Sequence, residues 1–328
     1  MKKSLCMIAI SAMTLVMALA ANAGDLVITT GSQQGTYFGS FGPRIAAVME
    51  TRRFPHTVVT SRGTGENFDR VCTNPHNVAL GQADVLPSLI ATNPHCPPIR
   101  VVQEVASECV FGVTSVNNLN NIDQVADISF NMRVAIPGVG SGSWLTWQNM
   151  VTEIPDLADA EIIEADSPAA AVSMVEQGRA DMVMFVAFPD PDNTIFRAIN
   201  DAGLHFLDMS NFDLLQQEVG GVYAYDRLSV TVANARITSF WRGATEIETA
   251  CTKAVIFTGD PAHDSLPRGE RFQTALVRLL ETTDPEAFRP SVGWLQSVMN
   301  TAANTSRDAM NSAAEAARSF AEDNRISF

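Results

Sequence analysis

Lysine is nearly absent from this sequence. The 328-residue chain has three, Lys2, Lys3 and Lys253, and no Gly-Lys-[Ser/Thr] step, so it cannot build a phosphate-cradling P-loop. Clustered cations are missing too. The 22 Lys+Arg face 36 Asp+Glu, a formal net charge of −14. That balance excludes the phosphate neutralisation on which nucleic-acid binding depends, and the polybasic patch of a membrane-surface protein. There is no His-Glu-x-x-His pair and no Gly-x-Ser-x-Gly elbow. The five histidines, His56, His76, His95, His205 and His263, lie in polar or loop segments and are expected to be solvated. Gly138-x-Gly140-x-Gly142 lacks the third glycine of a dinucleotide fingerprint at its proper offset. No cofactor is expected.

What is present begins with an address. Lys2 and Lys3 precede an uncharged apolar run, Leu5 to Leu19, and Ala21-Asn22-Ala23 forms an A-x-A site. This reads as a cleavable secretory signal over residues 1–23. The run is shorter than the ~20 residues of a spanning helix, and no later stretch approaches that length. The mature protein is expected to start near Gly24, to be soluble and periplasmic, and to carry −16 once Lys2 and Lys3 are gone from the −14.

Four cysteines remain, Cys72, Cys96, Cys109 and Cys251, an even count that permits two disulfides in an oxidising compartment. Cys72-Thr-Asn-Pro-His76 and Thr92-Asn-Pro-His-Cys96 are near mirror copies flanking a helix-like segment. A Cys72–Cys96 staple is the first reading. A Cys2His2 metal site with His76 and His95 is the alternative, although the adjacent His95-Cys96 pair makes tetrahedral ligation awkward. Cys109 and Cys251 lie in strand-like runs, as a second bridge or as two buried thiols.

At ~150 residues per domain the length suggests two domains, and 46% hydrophobic residues suffice for packed cores. The order of elements says the same. Strands are expected at Leu26–Thr30, His56–Ser61, Val78–Leu80, Ile99–Val105 and Cys109–Thr114, with helices over Tyr37–Arg52 and from Glu66. The plan then restarts: strand Arg133–Ile136, helix Trp144–Glu153, strand Glu161–Glu164, helix Ser167–Gln177, strand Met182–Val186. A β-rich run, Ile247–Thr258, returns the chain to the first half. Helices follow at Glu270–Leu280, Val292–Met299 and Asn304–Asp323. Alternating strands and helices predict α/β lobes with ligand loops at strand C-termini.

Three strand-to-helix loops are rich in glycine: Thr30-Gly-Ser-Gln-Gln-Gly-Thr-Tyr37, Thr60-Ser-Arg-Gly-Thr-Gly-Glu-Asn67 and Gly138-Val-Gly-Ser-Gly-Ser143. Glycine lets the backbone approach a ligand, and free N–H groups at a helix N-terminus favour an anion. Each loop alone is an ordinary capped turn; three across two lobes predict a cleft for a small anion. The expected ligand-binding residues are Ser32, Gln33, Gly35, Thr36, Tyr37, Arg62, Thr64, Glu66, Asn67, Asp84, Gly140, Ser141, Gly142, Ser143 and Pro189. Arg62 is the cation placed to meet a carboxylate, with surface pairing to an acid as the competing role. If that contact forms, Arg62→Ala costs a dicarboxylate ~1.5–3 kcal/mol. Glu66 and Asp84 form an acid–base pair, or Glu66 caps a helix while Asp84 orders loops.

These motifs, in this order, resemble the TAXI-type periplasmic substrate-binding proteins of TRAP transporters. Thr30 to Tyr37 matches that family's opening turn, and Gly63 to Asn67 its G-x-x-E-N helix start. Gln82-Ala-Asp-Val85 matches its Q-x-D-V element, and Pro137 to Ser143 resembles its second-lobe turn. Gly178-Arg-Ala-Asp181 and Pro189 resemble its G-x-x-D strand and following proline. The likeness runs from Leu26 to Thr258. Three features depart from it: the longer Gly138-Val-Gly140 turn, Phe188 before Pro189 where small residues are common, and the Cys72–Cys96 segment. The resemblance implies an α/β, two-lobed periplasmic-binding-protein fold, type II-like, with the ligand cleft between lobes joined by hinge strands near Glu108 and Thr249. Lobe 1 would be residues 24–108 plus 248–328, and lobe 2 residues 109–247. It also implies a monomeric, non-enzymatic receptor that hands a small organic anion (glutamate, a dicarboxylate or a 2-oxo acid) to TRAP-type membrane permease subunits. The alternatives are an ABC-type or sensor-linked receptor, and a secreted hydrolase using Asp84 and Glu66.

Overall fold

The structure is a computed structural model that describes residues 26–190, 194–219, 222–232, 245–261 and 270–289. The expected signal segment and the helices expected at 292–299 and 304–323 lie outside the described residues.

Three short strands, β1 (Leu26–Thr29), β2 (His56–Val59) and β3 (Val78–Gln82), pair in parallel with β1 in the middle. Their crossovers are α1 (Gly42–Glu50) and α2 (Thr64–Thr73). The helix expected over Tyr37–Arg52 breaks at Gly42-Pro43 into a π-helical turn, Tyr37–Phe41, followed by α1. Proline has no N–H to give and is tolerated in the first turn of a helix. A short helix, α3 (Leu86–Thr92), follows β3.

The second half repeats the plan. Strand β5 (Arg133–Pro137) pairs in parallel with β6 (Glu161–Ala165) and β7 (Met182–Ala187). Helices α5 (Gly142–Glu153) and α6 (Pro168–Glu176) connect them, after the short α4 (Ile122–Asp127). Ser141 and Ser167 cap α5 and α6, each accepting a hydrogen bond from the amide three residues on. Then come α7 (Thr194–Asp201), β8 (His205–Leu207), α8 (Phe212–Gln216), a minor ribbon of β9 (Glu218–Val219) with β10 (Val222–Tyr223), and β11 (Asp226–Val232).

Two long strands join the halves. The runs expected at Ile99–Val105 and Cys109–Thr114 are one 16-residue strand, β4 (Ile99–Thr114), and β12 (Thr245–Gly259) lies antiparallel beside it. The sheet order is β2-β1-β3-β12-β4-β7-β5-β6, with β11 on β12 and β8 on β4. Each long strand therefore spends one end in each lobe. Cys109 opposes Cys251 where they cross, and the two form a disulfide; a second joins Cys72 to Cys96. The latter replaces the metal alternative: both sulfurs are consumed, and His76 Nδ1 instead meets Gln273 Oε1 of α9 (Glu270–Thr282) at 2.8 Å.

Helices cover both faces of each lobe, so the strands are buried on both sides and read as apolar runs. In β3, Val78 and Leu80 face α1 and α9, and Ala79 faces α2 and α3. In β12, Ala254 and Ile256 share the first of these cores, Val255 and Phe257 the second. Two more cores flank the second lobe, around Trp147 and around Phe111 with Phe185. Phe188, just past β7, packs instead into the first lobe, its ring 5.3 Å from Phe41 and 5.9 Å from Tyr37.

Candidate functional site

The lobes touch through their glycine turns. The Gly65 amide donates to Gly140 O at 3.2 Å, bringing the start of α2 against the start of α5. There is no space for side chains. A Cβ on Gly65 would lie 3.0 Å from Gly140 O, and one on Gly63 3.1 Å from the Gly142 nitrogen. Gly63 has φ +130° and Gly140 φ +81°, conformations that favour glycine independently of space. Gln82, from the end of β3, presses its amide group against Gly142.

Below this contact a row of polar side chains crosses the joint. Residues directly opposed in antiparallel strands share a face; Thr252 of β12 opposes Glu108 of β4, and Thr252 Oγ1 accepts from the Asp84 amide at 3.1 Å. Both lobes contribute donors. From the first, Tyr37 OH donates to Glu108 Oε2 at 2.7 Å. From the second, Thr146 Oγ1 and Tyr225 OH donate to Asp84 Oδ2 at 2.7 and 2.8 Å, and Asn149 Nδ2 donates to Asp84 O at 3.0 Å. Asp84 is 2% exposed and Glu108 8%. Burial raises the Asp84 carboxyl above its usual range, against the bonds from Thr146 and Tyr225. Glu108 is pushed up to about 8 by burial and secondarily by the Asp84 charge, while the Tyr37 bond opposes the shift. Burial, then the neighbouring carboxylates, hold both tyrosines neutral, as donors.

The structure separates the residues expected at the site into groups. Thr64, Gly140, Ser141 and Gly142 lie at the lobe contact, with Thr64 Oγ1 accepting from the Gln82 amide at 3.3 Å. Tyr37 and Asp84 join the polar row. Ser143 is internal to lobe 2, its Oγ accepting from the Val186 amide at 2.9 Å. Asn67 is buried as a strand tie, bonded to Thr29, Thr30 and Leu80. Ser32 and Gln33 are exposed, and the Gly35 amide, before Thr36, is spent on Ser32 O. Pro189 is buried beside Phe188.

Arg62 and Glu66 form a separate pair. The Arg62 side chain is 78% exposed, and its Nε and its backbone amide both donate to Glu66 Oε2 at 3.0 Å. Arg70 holds the other Glu66 oxygen. Although its partial burial works the other way, the bonds from Arg62 and the Arg70 and Arg62 charges lower Glu66 from the usual carboxylate range. Glu66 thus ties the residue before the helix to its first turn. With its guanidinium in solvent and paired four residues on, Arg62→Ala is expected to cost no more than about 0.5 kcal/mol of stability and to leave solute affinity within twofold by calorimetry.

Sequence reasoning did not single out Thr146, Asn149, Tyr225 or Thr252. A signal existed for Glu108: polar Ser107 and Glu108 interrupt the apolar stretch from Val105 to Val113 in β4.

No protein-family model matches the chain, and no curated protein does. Among solved structures, MatC from Rhodopseudomonas palustris, with bound malate, is similar at 13% identity and TM-score 0.50, over 91% of this chain and 97% of that one. The GluR0 ligand-binding core in complex with L-glutamate is similar at 14% identity and TM-score 0.47, over 82% of this chain and 97% of that one. A TctC solute-binding protein from Polaromonas is similar at 12% identity and TM-score 0.43, over 92% and 97%. The chain has the two-lobed periplasmic-binding-protein fold, with a mixed α/β sheet continuous through both lobes.

Proposed function

We propose that this protein is a periplasmic solute receptor whose two lobes close on a small organic ligand and deliver it to a membrane permease. The observation that carries this reading is the meeting of the lobes, backbone to backbone from Gly65 to Gly140, directly over a buried polar row built from both of them. Closure of this kind needs no covalent chemistry, only greater affinity for the closed form. The hinge would be the β4–β12 crossing, between lobes bounded as the sequence suggests. The order of TAXI-like motifs favours TRAP-type permease subunits as the partner. The ABC-type or sensor-linked alternative is separated from it by whether a fused TRAP permease is encoded beside this gene. Against a hydrolase, Glu66 is held ionised by two arginines while Asp84 is buried among hydroxyls, which supports reading neither as a catalytic acid–base pair.

The ligand's carboxylate is assigned to the N-terminus of α5, at the Gly140 and Gly142 amides, where the helix dipole favours an anion; the Ser141 amide is already donated to Gly138 O. The test is thermal shift and small-angle scattering on ligand-stripped protein against amino acids, dicarboxylates and 2-oxo acids. A binder at a hundredfold excess over Kd adds ~2.7 kcal/mol and should shrink the radius of gyration. A panel without shift or compaction overturns the reading. Gly65→Val, whose side chain would meet the Gly140 backbone, is expected to weaken any hit about tenfold or more; unchanged affinity would remove this contact from the closed state.

A further inference from the structure

The polar row is rich in acceptors and short of donors. Asp84 Oδ2 is satisfied by Thr146 and Tyr225, but Oδ1 of the same carboxyl is buried with no hydrogen-bond partner. Two residues earlier, at the end of β3, Gln82 Oε1 is also buried without a partner, on a residue only 3% exposed. Both side chains meet one face of α5, Gln82 at Gly142 and Asp84 at Thr146 four residues along. Glu108, the second carboxyl of the row, opposes Thr252 beside them.

Buried acceptors without donors are costly, and a buried carboxylate is costlier unless paired. No ion pair among the described residues involves Asp84 or Glu108. Among the described residues, Arg62 and Lys253 are committed elsewhere. Arg62 is on the surface with Glu66. Lys253, one residue past Thr252 and so on the opposite face of β12, is bonded to Asp226 Oδ2 at 2.6 Å. What these two oxygens lack is a compact group with several N–H donors, beside the contact between the lobes.

We propose that the ligand of this receptor carries a protonated amine, which the Asp84 Oδ1 and Gln82 Oε1 acceptors bind together. This rests on the receptor reading and narrows it. Of the three ligand classes the family resemblance implies, the amino acids satisfy both ends of the cleft: the ammonium at Asp84 and Gln82, the carboxylate at the start of α5. Dicarboxylates and 2-oxo acids leave both acceptors unpaired, and a dicarboxylate adds a second negative charge close to Asp84. A site built for a donor rejects the analogue that lacks it.

The test uses matched ligands on the protein recovered from the periplasm of expressing cells, stripped by unfolding and refolding with its disulfides intact. Glutamate, aspartate, arginine and alanine are titrated by calorimetry beside the amine-free glutarate, succinate, 2-oxoglutarate and pyruvate. The expected result is a hit among the amines that exceeds its amine-free counterpart by at least about tenfold in affinity. Asp84→Asn should then collapse that ratio, a readout that mere loss of lobe closure would not move, since closure serves both ligands equally. A dicarboxylate or 2-oxo acid binding as tightly as its amine counterpart overturns the inference and leaves the receptor standing. Stabilisation by calcium chloride alone, with no response to any amine, also overturns it, in favour of a metal ion at these oxygens. Silence from every probe overturns both readings.

Discussion

Replacing both Cys109 and Cys251 with alanine is expected to cost about 5 kcal/mol of stability on the chain-entropy argument. The bridge closes a loop of 142 residues, whereas Cys72–Cys96 closes one of 24. The same argument gives about 3.5 kcal/mol for the shorter loop. The Cys109–Cys251 pair should thus be the more destabilising to lose, by about 1.5 kcal/mol. Position adds to length. Cys109 and Cys251 are direct partners across β4 and β12, the two long strands that join the halves, and both are fully enclosed. Guanidinium unfolding of the two double-alanine variants beside the oxidised parent measures the difference. Equal losses would mean that the long strands already restrict the unfolded chain near their crossing, so that the second bridge constrains little that is free.

The sequence carried most of the lobes because their strands are buried on both faces. Val78–Leu80 and Met182–Val186 read as short apolar runs followed by turn residues, and such runs need no partner to be recognised. What it hid is where the lobes communicate. Strand β4 looked like two strands because Ser107 and Glu108 break its apolar run; they break it because the strand there crosses the joint, where polar groups from both lobes meet. Strand β11 was missed although its burial alternates, since one exposed face weakens an apolar signal. The glycine turns were legible as turns, but not the contact between the second and the third, which depends on how the lobes are set against each other. Asp84 shows the limit most clearly. Its partners Thr146 and Tyr225 lie 62 and 141 residues away, and no local pattern links them. Arg62 shows the opposite failure: the partner it found, Glu66, was four residues along, and a helix makes that pairing without help from the fold.

Glu108→Gln is expected to flatten a stability profile that, in the parent protein, falls as pH rises. Burial first, and the Asp84 charge second, push the Glu108 carboxyl from 4.5 up to about 8, against the Tyr37 hydrogen bond. Between those values the folded protein keeps a proton that the unfolded chain has released. Folding then binds protons, and stability declines with pH by up to ~1.4 kcal/mol per unit. Across the whole window the loss is of the order of 5 kcal/mol. Asp84, also raised by burial, acts with the same sign. Glutamine keeps an oxygen for the Tyr37 hydroxyl and has no charge to bury, so the variant should match the parent near pH 4.5 and exceed it increasingly towards pH 8. Guanidinium midpoints at three or four pH values across this range are sufficient. A parent profile that stays level would mean that Glu108 ionises as freely in the folded protein as in the unfolded one. The joint between the lobes would then be open to water, and the unpaired acceptors of Asp84 and Gln82 would have water as their partner.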